Sequence, residues 1–201
     1  MSKTLYIWDL AGTLFPEKWN KEKSGLPDYR SYVQSLGYNL KTITPREWEL
    51  AYENPYRKGL FDLAIADGFS EVLSWTNDNA AFTTGNREQL DWRAEQLQKK
   101  YSFDIRDNLK EIYSTFDYGE TNLKTPEMIK DILVKKRKGG YTDFVYTDDK
   151  LENVRFFLGA AGGHRVRAYH MKNDGQGLRE KDGCWQIGNL YDMMKNEKLY
   201  V

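Results

Sequence analysis

The sequence predicts an α/β protein with a doubly wound parallel five-stranded sheet and a small helical cap inserted after the first strand. Two observations carry that prediction. Apolar runs rich in aromatic and β-branched residues recur at residues 5–8, 80–86, 110–115, 143–149 and 166–169. Segments with helical spacing lie between them, and parallel neighbours need such crossovers. Leu5, Tyr6, Ile7 and Trp8 are apolar without alternation, as a strand buried on both faces is.

Composition bounds the answer. At 201 residues, 40% apolar and 14% aromatic, the chain is long enough for one core and a small subdomain. Thirty basic and thirty acidic residues cancel, so no global field favours nucleic acid or an anionic membrane as partner. The basic run Lys135, Lys136, Arg137 and Lys138 precedes Gly139 and reads as the end of a helix, where positive charge meets the helix dipole. A single cysteine, Cys184, excludes an internal disulfide and a cysteine-based zinc site. Neither His164 nor His170 belongs to a nucleophile motif. No apolar run approaches 18 residues and the first residues lack a leader pattern, so a cytoplasmic location is expected.

The first strand ends at Asp9, followed by Leu10, Ala11, Gly12, Thr13 and Leu14. Ligands of open α/β sheets bind beyond the carboxyl ends of the strands, which places Asp9 where chemistry happens; capping a turn is the other use of an acid there. Residues 16–25 carry too many Lys and Glu for a strand and read as a loop or flap. Tyr29, Tyr32, Val33 and Leu36 share one helix face, and Gly37 ends it. Thr44, Pro45 and Glu47 have the pattern of a capping box, so a second helix carries Trp48, Ala51 and Tyr52 inward. Residues 15–65 then form the cap, and residues 1–14 and 66–201 the core. Trp19, Trp48 and Tyr52 read as the aromatic core of the cap, with substrate contact as the other possibility.

After a helix over residues 69–75, the second strand ends in Thr84, Gly85 and Asn86. A hydroxyl and free N–H groups at a helix start suit an anionic phosphate, although Thr and Gly also end strands for turn reasons. Leu90, Ala94 and Leu97 mark the next helix. Lys124 stands just before Thr125, Pro126 and Glu127, which open a helix with Met128, Ile129, Ile132 and Leu133 inward. The fourth strand ends in Asp148 and Asp149, with Glu152 and Asn153 on the next turn. Adjacent carboxylates repel unless a cation lies between them, and a hard divalent ion fits oxygen ligands; two acids before a helix also serve as caps. Residues 175–183 read as a polar loop, and Trp185, Leu190, Met193 and Met194 as a closing helix.

The string Asp9 to Leu14 resembles the first motif of the haloacid dehalogenase (HAD)-like hydrolase superfamily. Thr84, Lys124 and the acids at 148 and 149 stand where the second, third and fourth motifs are expected. The resemblance covers nearly the whole chain except the cap. It implies a Rossmann-like sheet of order 5-4-1-2-3 and a small phosphorylated substrate. Asp9 would be the nucleophile that forms an aspartyl-phosphate, with Thr84 and Lys124 stabilising the transferring group. Leu10, Ala11, Gly85 and Asn86 would hold phosphate, and Asp9, the Ala11 carbonyl and Asp148 or Asp149 would hold Mg²⁺, with Asp149 favoured. The chain departs from the family at Ala11, where its phosphatases carry an acid/base Asp. Phosphonoacetaldehyde hydrolases also have Asp-x-Ala-Gly-Thr and activate substrate as an imine on a cap lysine, a role for which Lys58 is the candidate. A phosphate-binding protein with impaired catalysis is the third reading. The sequence leaves the oligomeric state open.

Overall fold

The computed structural model of the protein describes residues 3–181 and 183–198. The expected outer limits of the core, residues 1 and 201, lie outside them. The described chain runs β1 (Thr4–Trp8), β2 (Glu17–Trp19), α1 (Lys21–Ser24), α2 (Tyr29–Ser35), α3 (Pro45–Leu50), α4 (Glu53–Arg57), β3 (Phe61–Leu63) and α5 (Phe69–Trp75). It continues with β4 (Asn79–Thr83), α6 (Arg87–Tyr101), β5 (Glu111–Ser114), α7 (Pro126–Lys138) and β6 (Asp143–Asp148). The last elements are α8 (Leu151–Gly159), β7 (Arg165–Met171), β8 (Arg179–Lys181), β9 (Cys184–Ile187) and α9 (Leu190–Glu197).

The main sheet has the order β5-β4-β1-β6-β7-β9-β8. Every pair is parallel except β8 with β9. β1 lies between β4 and β6, with Trp8 opposite Ala81 on one side and Thr147 on the other, so all three strands deliver their carboxyl ends to one rim.

Alternate residues of β1 enter two separate cores. Tyr6 and Trp8 pack with Phe69, Val72, Leu97 and Leu190, whereas Leu5 and Ile7 pack with Ile129, Ile132, Leu133 and Phe157. Helices thus cover both faces, and burying each such side chain contributes about 1.5–3 kcal/mol. The Trp8 indole N–H donates to Asn79 Oδ1 at 2.9 Å, which offsets the burial of its polar atom.

The structure has seven strands in this sheet where the sequence pattern gives five. Both extra strands lie beyond β7. β8 falls inside the expected loop at 175–183, of which residue 182 is not described. It pairs only with β9, so its polar side chains carry no apolar alternation. The expected closing helix begins too early. Trp185 belongs to β9, and Asn189 caps α9 by accepting the Asp192 N–H at 3.1 Å. The apolar residues of strand and helix merge into one run across Gly188, which hid the junction.

Between β1 and α5 the chain forms four short helices and a two-stranded antiparallel sheet of β2 and β3. Part of the expected loop at 16–25 is therefore strand: Glu17 pairs with Leu63 and Trp19 with Phe61. The capping box at Thr44 is present, with its hydroxyl accepting the Glu47 N–H at 3.2 Å and Glu47 Oε2 accepting the Thr44 N–H at 2.8 Å. Trp19, Tyr29, Tyr52, Tyr56 and Phe61 stack or meet edge to face at centroid distances of 4.2 to 5.8 Å, the interior of this insert.

Candidate active site at the carboxyl rim of the sheet

At the end of β1, the Asp9 N–H donates to the Thr147 carbonyl at 2.8 Å, which ties the first residue beyond the strand to β6. The turn after it closes on itself, with the Phe15 N–H donating to the Leu10 carbonyl at 2.8 Å. The Leu10 side chain is wholly buried, so only its backbone is left for a ligand. Gly12 adopts φ of +80°, and a Cβ there would collide with the Asp149 carboxyl group. That glycine lets the β1 turn and the acid after β6 approach each other.

Lys124 comes from the residue before the α7 cap, where Thr125 and Pro126 fix the chain direction. Its ammonium is buried and lies between two carboxylates, 2.6 Å from Asp9 Oδ1 and 2.7 Å from Asp148 Oδ2. Tyr146 Oη is 3.0 Å away. Burial alone would disfavour the charge on Lys124, but Asp148 and Asp9 overcome it and raise its pKa. Asp148 has no exposure and is saturated with donors: Lys124, the Tyr146 hydroxyl, the Lys150 N–H and the Asn153 amide. Against the cost of burial, Lys124 and these bonds hold it below the ordinary carboxylate range.

Asp9 and Asp149 differ from it. Burial pushes the Asp9 carboxyl up to about 7 against the pull of Lys124, with Asp148 and Asp149 adding to the rise. Thr13 Oγ1 donates to its second oxygen at 3.2 Å. Asp149 is half-buried and raised to about 6 by burial and the adjacent Asp148 charge. Its carbonyl lies 3.0 Å from His170 Nε2. One oxygen each from Asp9, Asp148 and Asp149 lie within 4.8 Å of one another. The oxygens of Asp9 and Asp149, on groups whose negative charge is disfavoured as they stand, fit a divalent cation such as Mg²⁺, whereas those of Asp148 already serve Lys124, Tyr146, Lys150 and Asn153.

Ala11, Gly12, Thr84, Gly85, Asp149 and Lys150 line a cleft of about 340 Å³ together with Glu17, Trp48, Glu49 and Tyr52 of the insert and Arg93 of α6. The rim thus brings Asp9, Ala11, Thr84, Gly85, Asn86, Lys124, Asp148 and Asp149 to one region. Asn86 is buried and caps α6, accepting the Gln89 N–H at 2.8 Å. Lys58 is not among the residues that line the cleft. It is exposed at the carboxyl end of α4, so nothing in its surroundings supports an imine role. Trp48 and Tyr52 serve the insert's aromatic interior and line the cleft as well.

Several lining residues carried no signal in the sequence. Glu49 is 3% exposed, and its Oε2 accepts the Asn86 N–H at 3.2 Å. Arg93 is 1% exposed, and its Nη2 donates to the Tyr56 hydroxyl at 2.8 Å and lies 3.3 Å from Glu17 Oε1. A Glu or Arg inside a helix ordinarily reads as solvent-facing.

Solved structures of similar shape share this architecture. A HAD family enzyme from Bacteroides thetaiotaomicron, in complex with magnesium and inorganic phosphate, aligns at a TM-score of 0.57 and 14% identity. The alignment covers 86% of this chain and 95% of that one. A β-phosphoglucomutase from Pyrococcus sp. strain ST 04 aligns at a TM-score of 0.58 and 12% identity, over 98% of this chain and 97% of the other. The chain has the HAD-like fold. The UTR4 protein of Saccharomyces cerevisiae shares it at a TM-score of 0.52 and 11% identity, over 92% and 97% of the two chains. No family profile and no curated protein sequence matches the chain. Within the HAD-like fold, Asp9 occupies the end of the central strand and Asp148 and Asp149 the end of its neighbour. No described helix is long and apolar enough to cross a membrane.

Proposed function

We propose that the protein is a magnesium-dependent phosphohydrolase of the HAD kind that acts on a small phosphorylated substrate through an aspartyl-phosphate on Asp9. In this reading residues 1–14 and 66–201 are the catalytic core and residues 15–65 the cap. The observation that carries the reading is the buried Lys124 ammonium shared by Asp9 and Asp148, with Asp149 alongside. Burying a lysine against two carboxylates costs desolvation that packing alone does not require, and phosphoryl transfer needs this balance of charge around its nucleophile.

Asp9 supplies the attacking oxygen. Lys124 withdraws charge from it and from the incoming phosphoryl oxygens. Thr84 and those N–H groups at the start of α6 that are not already bonded to Glu49 and to the Asn86 side chain donate to those oxygens. Asp9, Asp149 and the Ala11 carbonyl would hold Mg²⁺, which neutralises phosphate charge when bound. Asp148 positions Lys124.

Titration with Mg²⁺, followed by a screen of phosphomonoesters, acyl phosphates and phosphonoacetaldehyde with and without the ion, tests the reading. Metal-dependent release of phosphate from the first two classes is expected. Absence of both Mg²⁺ binding and phosphate release would contradict it.

A further inference from the structure

Ala11 leaves the cleft without the carboxyl group that would protonate a departing oxygen from the β1 turn. We propose that Glu49, carried into the cleft by α3, is the acid–base group of the reaction and that the substrate is therefore an alkyl phosphate monoester. The inference rests on the phosphohydrolase reading above and goes beyond it in naming the proton donor and the leaving group.

Three features support it. Glu49 lines the same cleft as Ala11, Gly12, Thr84, Gly85 and Asp149. Its carboxylate is fixed on the Asn86 N–H, at the start of the α6 helix whose N-terminus would receive phosphate. Its polarity is also inverted relative to its helix: Glu49 is buried while its neighbour Leu50 is 41% exposed. A helix that turns an acid inward and a leucine outward gives up stability, a cost that a role for the acid in the cleft accounts for.

The groups facing Glu49 make it a proton carrier. Burial pushes its carboxyl up to about 7; the Asn86 N–H, Arg93 of α6 and Arg46 of its own helix pull it down, and Glu17 of β2 raises it. Asp149 and Lys150 lie in the same cleft. The hydroxyls of Tyr29 and Tyr52 are held above their ordinary range by burial and stay neutral beside it. Arg93 keeps Nε and Nη1 without a hydrogen-bond partner, so a cation lies close by when Glu49 ionises.

In the first step an Asp9 oxygen bonds to phosphorus, the phosphorus–alkoxyl bond breaks, and the Glu49 proton goes to the leaving oxygen, giving an alcohol. In the second, a water oxygen bonds to phosphorus, its proton returns to Glu49, and the phosphorus–Asp9 bond breaks to free phosphate and the carboxylate. An aryl leaving group needs less help in the first step and the same help in the second.

The test is Glu49→Gln with Mg²⁺ present, assayed on an alkyl and an aryl phosphate. Alkyl phosphate turnover is expected to fall about 100- to 10,000-fold. The aryl phosphate should still give a burst of phenol, after which phosphorylated Asp9 accumulates and is detected by mass. Ala11→Asp added to Glu49→Gln should recover alkyl turnover at least tenfold, about the low end of acid–base catalysis. In wild type, phosphorylation by the alkyl ester should decline as pH rises through about 7, and Glu49→Gln should remove that dependence. Alkyl turnover unchanged in Glu49→Gln overturns the assignment while leaving the phosphohydrolase reading intact. A wild type that releases phosphate from no ester overturns both. Should Glu49→Gln fail to fold, Glu49→Asp, one methylene shorter, carries the same comparison in the first step: a larger loss in alcohol release from the alkyl ester than in the phenol burst supports the assignment, and equal losses in that step overturn it.

Discussion

Asp148 at the sheet rim and Glu49 in the insert are both almost wholly buried carboxyl groups, yet their surroundings shift them in opposite directions. Asp148 meets an ammonium at 2.7 Å and three further donors, which hold its pKa below the ordinary value against the cost of burial. Glu49 has a single backbone N–H at 3.2 Å and forms no ion pair among the described residues, and burial lifts it to about 7. Burial is common to both, so the partners decide. The rim is a closed set of charges in which every member needs the others. In the insert Glu49 has no such counter-charge bonded to it among the described residues, and Glu17 beside it adds to the rise.

This contrast is broken most forcefully at Lys124. Lys124→Met leaves Asp9 and Asp148 buried without a counter-charge, and a loss of about 3–5 kcal/mol is expected in denaturant unfolding at pH 7. A loss below about 1 kcal/mol would mean that the rim is not held by its ion pairs.

Glu49→Gln should act in the other direction. The folded pKa of Glu49 lies above the unfolded value of 4.5, so its effect is absent below pH 4.5 and costs stability as pH rises towards about 7. The variant should be more stable than wild type at pH 8, by up to about 3 kcal/mol, and equal to it at pH 4. Asp148 has the opposite sign: its folded pKa is depressed, so its contribution is full above the unfolded value and is lost as acid carries the pH below it. Asp148→Asn should therefore narrow the stability gap between pH 7 and pH 3. Unfolding measured across this range sharpens the comparison.

A smaller effect separates the two adjacent acids. Asp149→Asn should weaken Mg²⁺ at least tenfold, about 1.4 kcal/mol, and should not destabilise the fold at neutral pH, because burial and Asp148 hold the Asp149 carboxyl at about 6, above the ordinary value. Asp148→Asn should do the reverse, because all its acceptor positions already serve Lys124, Tyr146, Lys150 and Asn153. Calorimetric titration of both variants decides the pair, and equal losses of affinity would reverse the assignment of roles. Ala11→Asp in the otherwise unaltered chain should lower activity, since it adds a negative charge beside an anionic substrate while Glu49 already supplies the proton.

The rim was legible because each of its residues is a local event: Asp9, Thr84 and Asp149 end apolar runs, and Lys124 precedes a capped helix. The runs marked the five central strands, whereas their order came from the resemblance to the HAD-like superfamily and is the order β5-β4-β1-β6-β7 seen in the sheet. Glu49 and Arg93 were not legible, because each lies inside a helix where period and propensity treat it as a surface residue. The one trace of Glu49 in the sequence is indirect, since the capping box at Thr44 fixes where α3 starts and Ala11 leaves a missing acid. The outer strands β8 and β9 were hidden for another reason. Arg179, Glu180 and Lys181 are held by backbone pairing with no apolar face, and only Gly188 and Asn189 separate Cys184–Ile187 from α9, so the apolar positions of strand and helix read as one element.

The most direct test of the account is to mix the protein with Mg²⁺ and an aryl or acyl phosphate, quench in acid, and locate any phosphoryl group on the chain. The account predicts phosphate on Asp9, present with Mg²⁺, lost without it, and absent from Asp9→Asn. Phosphate on another residue, or turnover of the ester undiminished in Asp9→Asn, would contradict it.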